Sequence, residues 1–328
     1  MIELVARSEA MREAVSLAER VAATDANVLV TGESGAGKDV LAFHIHSKSN
    51  RATQSFVKID CATLPSGLLE AELFGYERGA FTGASEEKPG RLEAAHRGTL
   101  VLDEIAYLSN DSQAKLLRVI ETREFERLGG RRTIKVDARL IALTNVDLSD
   151  AVKRQNFRED LYYRLNVVHI QVPPLRERTE DLAELADAFV TSYAAKHGRQ
   201  VDAVSAEALS LLGKYEFPGN VRELANTIER AVIIAAGPRI EVRDLPEPIR
   251  ATVLMQSRRA QPPSLAEVEA EYVEEILAAS NGNKTEAARI LGISRKNLYE
   301  KLARRRKGSS GEDETEGETV RRGDAGRE

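Results

Sequence analysis

Two short stretches of the chain combine residue types suited to phosphate chemistry. The first is Gly32-Glu33-Ser34-Gly35-Ala36-Gly37-Lys38-Asp39, which follows the apolar run Asn27–Thr31 and leads into a helical pattern. Its glycines let the backbone curl so that successive N–H groups face one anion, and the N-terminus of the next helix adds its dipole. Lys38 is placed to reach β and γ phosphates. The motif ordinarily ends in Ser or Thr, whose hydroxyl binds Mg2+; here Asp39 stands there. The second stretch, Thr99-Leu100-Val101-Leu102-Asp103-Glu104, is an apolar strand candidate ending in two acids. Asp103 suits Mg2+, held directly or through water, and Glu104 suits a general base that polarises an attacking water. Alone, each stretch has a bland reading, as a connecting turn or a solvated strand end. In this order they point to a P-loop nucleotidase.

The elements that must position these groups follow from periodicity. Strands are predicted at Asn27–Thr31, Phe56–Asp60, Thr99–Leu102, Arg139–Thr144 and Val167–Val172, several of them apolar on both faces, with helical stretches such as Ser112–Glu121 between them. That alternation predicts an α/β fold with a parallel sheet. From Thr179 to Gly237 the pattern becomes wholly helical, with Asp181–Ala195, Ser205–Lys214 and Asn220–Ala236 separated by glycines and a proline. Arg250–Pro263 reads as a linker. A further helix starts at Ser264, with Glu267 completing a capping-box pattern and Leu265, Val268, Tyr272 and Ile276 forming a stripe. The predicted division is therefore an α/β nucleotide-binding subdomain over 1–175, a helical lid over 176–248, a linker over 249–263, a small all-α helix-turn-helix domain over 264–307, and a tail over 308–328 whose lack of apolar residues predicts disorder.

Composition narrows the class. The 328 residues suit two domains with a tail, and 42% hydrophobic with 30% charged residues is an ordinary globular mix. The lone Cys61 excludes an internal disulfide framework and favours a reducing, cytoplasmic setting. The longest apolar run, Ala231–Ala236, is far short of the ~18 residues of a membrane span. The net charge of −5 hides an asymmetry: residues 283–307 carry nine bases and two acids, whereas 308–328 carry seven acids and three arginines. A basic module at the end of an acidic body predicts that this end alone meets nucleic acid.

Between the two phosphate motifs lies Glu72-Leu73-Phe74-Gly75-Tyr76-Glu77-Arg78-Gly79-Ala80-Phe81-Thr82-Gly83-Ala84. Its GAFTGA run resembles the signature of bacterial enhancer-binding proteins, the AAA+ activators of sigma-54 RNA polymerase. The resemblance covers about residues 2–245 plus the C-terminal helices. It implies ATP and Mg2+ as cofactors, with Gly79, Ala80, Phe81, Thr82, Gly83 and Ala84 as the sigma-54 contact and Phe81-Thr82 at its tip. It implies Thr144 and Asn145 as sensor I, Arg158 and Arg164 as arginine fingers entering a neighbouring subunit, and Arg222, after Pro218-Gly219-Asn220, as sensor II. Partners implied are sigma-54 RNA polymerase, enhancer DNA and further copies of the chain, from a dimer to a hexameric ring. Three positions depart from the family pattern. Asp39 replaces the general Ser/Thr, although this family commonly has an acid there. Asp60 stands where an asparagine often switches the glutamate, and an acid facing Glu104 would either repel it or share a proton. Phe217 replaces the usual Trp.

Residues 284–303 have the plan of a helix-turn-helix. Ala288 permits close helix approach, Gly292 makes the turn, Ile290, Leu291, Ile293, Leu298 and Leu302 form the seam, and Ser294 caps the second helix. Arg295, Lys296, Asn297 and Tyr299 are placed to reach base edges, and Lys301 and Arg304 to reach phosphates. The pattern resembles the Fis-type module of enhancer-binding proteins, with the 264–279 helix pairing modules into dimers. His44 and His46 do not share a helix face, so no metal site is expected, and Cys61 is expected to be simply buried. Because Ser8, Met11 and Val21 already match the family's first helix, the usual sensory domain has no room before them, which predicts control in trans by a separate regulatory protein. Two rival classes are a DNA-binding repressor with a vestigial ATPase fold and another AAA+ machine, such as an unfoldase or loader. The intact motifs oppose the first and GAFTGA opposes the second.

Overall fold

The computed structural model describes residues 4–251, 265–280, 282–299 and 302. The chain divides into two compact units, residues 1–252 and 253–328. Most of the expected linker, the Ser264 cap, Lys301, Arg304 and the 308–328 tail lie outside the described residues.

The first unit is built on five parallel strands: β1 (Val28–Thr31), β2 (Phe56–Asp60), β3 (Thr99–Asp103), β4 (Arg139–Thr144) and β5 (Val168–Gln171), in the order β2-β3-β4-β1-β5. The apolar strands feed two separate cores, because successive side chains point to opposite faces. Leu29, Leu100, Leu102, Leu140 and Ala142 pack on one face with Leu69, Leu73 and Phe74 of the helix Ser66–Phe74. Val28, Val30, Val101, Ile141 and Leu143 pack on the other with the helices Glu9–Ala22 and Lys38–Ser47. The largest fully buried side chain is Arg139, whose guanidinium donates to the carbonyls of Val21 (2.9 Å) and Ala22 (3.0 Å) at the end of Glu9–Ala22. It adds donors to the C-terminal carbonyls of that helix, where intrahelical partners run out.

Two antiparallel pairs project from this core: Gly75–Tyr76 with Lys88–Pro89, and Glu124–Glu126 with Thr133–Lys135. Periodicity missed both, since two- and three-residue strands are too short to alternate. The lid carries the helices Leu182–His197, Ala206–Leu212 and Asn220–Ile234. It is not wholly helical, because Ala203–Val204 pairs in parallel with Arg239–Ile240. Residues 247–251 are helical and Ile249 is buried, so the ordered unit extends past the expected linker start at 249.

The second unit contains the helices Leu265–Ala279 and Lys284–Ile290, followed by helical residues 295–299. Val273, Ala287, Ala288 and Leu298 are its buried centre, with Ile276, Leu277, Leu291, Ile293 and Leu302 packed around them. Two expectations are corrected here. Ile290 is 48% exposed and does not join the seam, and Tyr272 is 52% exposed, the inward stripe running through Val273, Ile276 and Leu277 instead. The 3.6-residue period fixes the spacing of such a stripe, but a one-residue rotation of the helix changes its members.

Candidate functional sites

The glycine-rich loop leaves β1 and closes on the helix Lys38–Ser47, whose N-cap is Gly37 at φ +100°. Gly35, at φ +75°, lies against the lid so closely that a Cβ there would stand 2.4 Å from the Gly219 carbonyl oxygen. No other residue type fits. Lys38 is buried and donates to the carbonyls of Gly32 (2.8 Å) and Glu33 (3.2 Å), with its ammonium 3.8 Å from Glu104. Burial lowers its pKa, while Glu104 and Asp103 oppose that shift. The cavity here encloses about 470 Å3. Ser34, Gly35, Ala36, Gly37, Lys38 and Asp39 line one end with Asp60, Asp103, Glu104 and Arg222, and Leu4, Val5, Leu185 and Phe189 give it an apolar end. Those apolar residues escaped sequence reasoning because they come from two segments with no motif of their own. Asp181 joins the segments: it is fully buried and accepts from the amides of Arg7 (2.6 Å) and Ser8 (2.8 Å).

The acids at the strand ends are held individually. Asp103 is paired at 2.8 Å with Lys58, whose ammonium also lies 3.9 Å from Asp39. Lys58 was not singled out from the sequence, yet period two places it with Asp60 on one face of β2, and the register sets Asp60 beside Asp103. The Asp39–Asp103 pair thus already accepts one cation, and hard carboxylate oxygens suit Mg2+ equally. Glu104, at φ +52°, accepts at Oε2 from the Asn145 amide (3.2 Å). Asp60 accepts instead from the Ala62 amide (2.9 Å), and among the described residues no hydrogen bond joins it to Glu104. Cys61 is buried, its thiol pushed up to about 12 by burial and by the nearby Asp60, Asp103 and Glu104. His46 is a buried ring bonded to Thr99 (2.9 Å), and His44 faces Glu19 (3.2 Å), an acid supplied by another helix.

The remaining predicted residues have partners of their own. Glu33 turns its carboxylate away from it, onto both guanidinium nitrogens of Arg176 (2.7 and 2.9 Å) and the Asn220 amide (2.9 Å), which lower its pKa to about 2. Thr144 is fully buried, its hydroxyl accepting from the Val146 amide (3.0 Å). Arg222 donates to the Ser34 hydroxyl (3.0 Å). Arg158 and Arg164 do not line the cavity; they pair with Asp160 (2.7 Å) and Glu121 (3.2 Å). Asn220, seen in the sequence only as part of a motif, is completely buried and also accepts from the Leu175 amide (2.8 Å).

In the GAFTGA segment Phe81, Thr82 and Gly83 are exposed, Ala80 is half-buried and Ala84 is buried. The Gly79 amide donates to the Ala84 carbonyl (2.8 Å), and Phe81 packs edge-on against Tyr76, with ring centres 4.9 Å apart. At its base Arg127 donates to both Glu93 oxygens (2.9 Å each), to Glu77 (3.3 Å) and to Glu87 (3.2 Å). In the second unit the Ser294 hydroxyl accepts from the Asn297 amide (3.2 Å), and Arg295, Lys296 and Asn297 are exposed. Tyr299 is half-exposed under the Lys284 ammonium, 4.8 Å from its ring centre.

Residues 4–171 match the model of the sigma-54 interaction domain, 176–262 that of the AAA+ ATPase lid domain, and 264–304 that of the bacterial regulatory proteins of the Fis family. The chain is 46% identical over 307 residues to regulatory protein AtoC of Escherichia coli K12, covering 91% of this chain and 67% of AtoC. It is 45% identical over 315 residues to transcriptional regulatory protein FlbD of Caulobacter vibrioides, covering 91% and 69%. NtrX from Brucella abortus, solved in complex with ATP, superimposes with a TM-score of 0.69 at 36% identity, covering 92% of this chain and 69% of NtrX. The ADP complex gives 0.70 at 35% identity with the same coverage.

Proposed function

We propose, for a chain that belongs to the sigma-54-dependent enhancer-binding activators and is an AAA+ ATPase with a Fis-type DNA-binding module, that ATP hydrolysis in the cavity around Lys38 moves the Phe81-Thr82 segment against sigma-54. The observation that carries this reading is the convergence of Lys38, Asp103 and Glu104 on one cavity. Lys38 neutralises phosphate charge, and its buried ammonium is the stronger for the low dielectric around it. Glu104 takes the proton of the attacking water, held for that task by the Asn145 amide. Asp103 and Asp39 would hold Mg2+, which supplies charge neutralisation between the phosphates when bound. Ser34 and Arg222 tie the loop to the lid, so nucleotide occupancy is felt in both.

Arg158 and Arg164 are exposed and held only by surface acids, so they are free to serve a neighbouring copy's site in a ring. The nucleotide work falls to residues 1–248 and DNA contact to 264–307. There Arg295, Lys296, Asn297 and Tyr299 read base edges, the sequence adds Lys301 and Arg304 as phosphate contacts, and the helix Leu265–Ala279 pairs modules on enhancer DNA. Capture of sigma-54 by the purified chain, with and without an ATP transition-state analogue, tests this function. Analogue-dependent capture that Thr82→Ala abolishes is the expected result; equal capture without nucleotide would contradict it.

A further inference from the structure

Four carboxylates, those of Asp39, Asp60, Asp103 and Glu104, line the phosphate end of the cavity. Lys38 is already committed to two carbonyls and Glu104. Among the described residues Asp103 has one ion pair, with Lys58 at 2.8 Å, and the same ammonium stands 3.9 Å from Asp39. Lys58 reaches them from β2, where it faces the same side of the sheet as Asp103. We propose that Lys58 is a positioning residue of the nucleotide site: its ammonium holds Asp39 and Asp103 at the place meant for a divalent cation, and a metal ion enters only by displacing it.

The physical argument is one of competition. Two carboxylates facing each other without a cation repel, and a strongly hydrated divalent ion is attracted to them even when no nucleotide is present. The Lys58 ammonium removes that attraction while leaving the pair in a geometry that can receive a metal. Its side chain is 38% exposed on a flexible four-carbon stem, so it can swing into solvent without disturbing the core. Nucleotide phosphates then tip the balance, because they add ligands and negative charge that a divalent ion satisfies better than an ammonium. Lys58 thereby couples metal entry to nucleotide entry and keeps the free ion from occupying the site alone. This inference rests on the reading of the cavity as a metal-assisted ATPase site.

Titrating Mn2+ alone into the nucleotide-free full chain, with free Mn2+ followed by electron paramagnetic resonance, tests the proposal. Wild type and Lys58→Arg should bind Mn2+ weakly and alike, and Lys58→Gln about ten-fold more tightly, since one close competing charge is gone. The gain should vanish in Lys58→Gln/Asp103→Asn. Lys115→Gln removes a charge that pairs with Glu70 outside the cavity and should match wild type. No gain in Lys58→Gln, an equal gain in Lys115→Gln, or a gain that survives Asp103→Asn would each overturn the proposal. ATP hydrolysis by the wild type, measured alongside, separates the two readings: hydrolysis with unaltered Mn2+ affinity removes only the role of Lys58, whereas no hydrolysis removes the ATPase reading beneath it.

Discussion

The backbone amide of Asn145 donates to Oε2 of Glu104 at 3.2 Å, joining the end of β4 to the acid that follows β3. The Glu104 carboxylate is thus oriented by main chain rather than by Asp60, whose own carboxylate accepts from the Ala62 amide. Asp60→Asn keeps an acceptor oxygen for that amide and should leave the pH profile of ATP hydrolysis unaltered. A shift of its acidic limb by about one unit, the mark of a shared proton, would show that the two acids are coupled.

Asn220 fastens the lid to the phosphate loop through two hydrogen bonds, accepts a third from the Leu175 amide, and sits at φ +53°. Asn220→Ala leaves buried groups unpaired and strains the backbone, so denaturant unfolding should show a loss of about 3 kcal/mol. Asn220→Gly removes the strain alone and should recover about 1 kcal/mol of it.

The Glu33–Arg176 pair gives an acid-dependent latch. Because the folded-state pKa of Glu33 is depressed from 4.5 to about 2, its stabilisation is present above pH 4.5 and fades as pH falls toward 2. Solvent screens this half-exposed pair, so the effect is small. Thermal melts across that window should show Glu33→Gln losing less stability on acidification than wild type. Parallel curves would contradict the assignment.

Arg127 is mostly buried among Glu77, Glu87 and Glu93 at the base of the GAFTGA segment. Truncating it removes the two-oxygen partner of the largely buried Glu93, so Arg127→Ala should cost about 2 kcal/mol locally. Promoter activation should fall at least ten-fold while the ATP-hydrolysis rate changes less than three-fold, by about these factors if the loop is a lever distinct from the catalytic groups.

Arg295 and Lys296 carry exposed charges on the helical residues 295–299. A residue that contacts phosphate should, on change to Ala, reduce the slope of log affinity against log salt by about 1; one that reads a base should instead relax sequence preference at about 1–3 kcal/mol. Binding isotherms on enhancer DNA at several salt concentrations distinguish the two roles.

The parallel sheet and both phosphate motifs were legible because apolar strands and glycine-rich turns are local signals. Lys38, Asp103 and Glu104 meet beyond the ends of β1 and β3, the two strands that flank β4 in the sheet. What periodicity could not give were contacts between segments remote in sequence. Lys58, Asn220 and Arg176 acquire their partners only when β2 lies beside β3 and the lid closes on the loop. Glu33 lies in the glycine-rich motif, and only the fold shows its side chain paired with Arg176 and Asn220. Ile290 and Tyr272 show the same limit in the second unit, where helical rotation decides which apolar residues are inside.

Open-promoter formation by purified sigma-54 RNA polymerase, followed by permanganate reactivity of the melted bases, tests the central claim most directly. Wild type with ATP should open the promoter. Wild type with a non-hydrolysable analogue, Glu104→Ala with ATP, and Thr82→Ala with ATP should all leave it closed, although Thr82→Ala still hydrolyses ATP. Opening by either variant at the wild-type level, or by wild type with the analogue, would contradict the account.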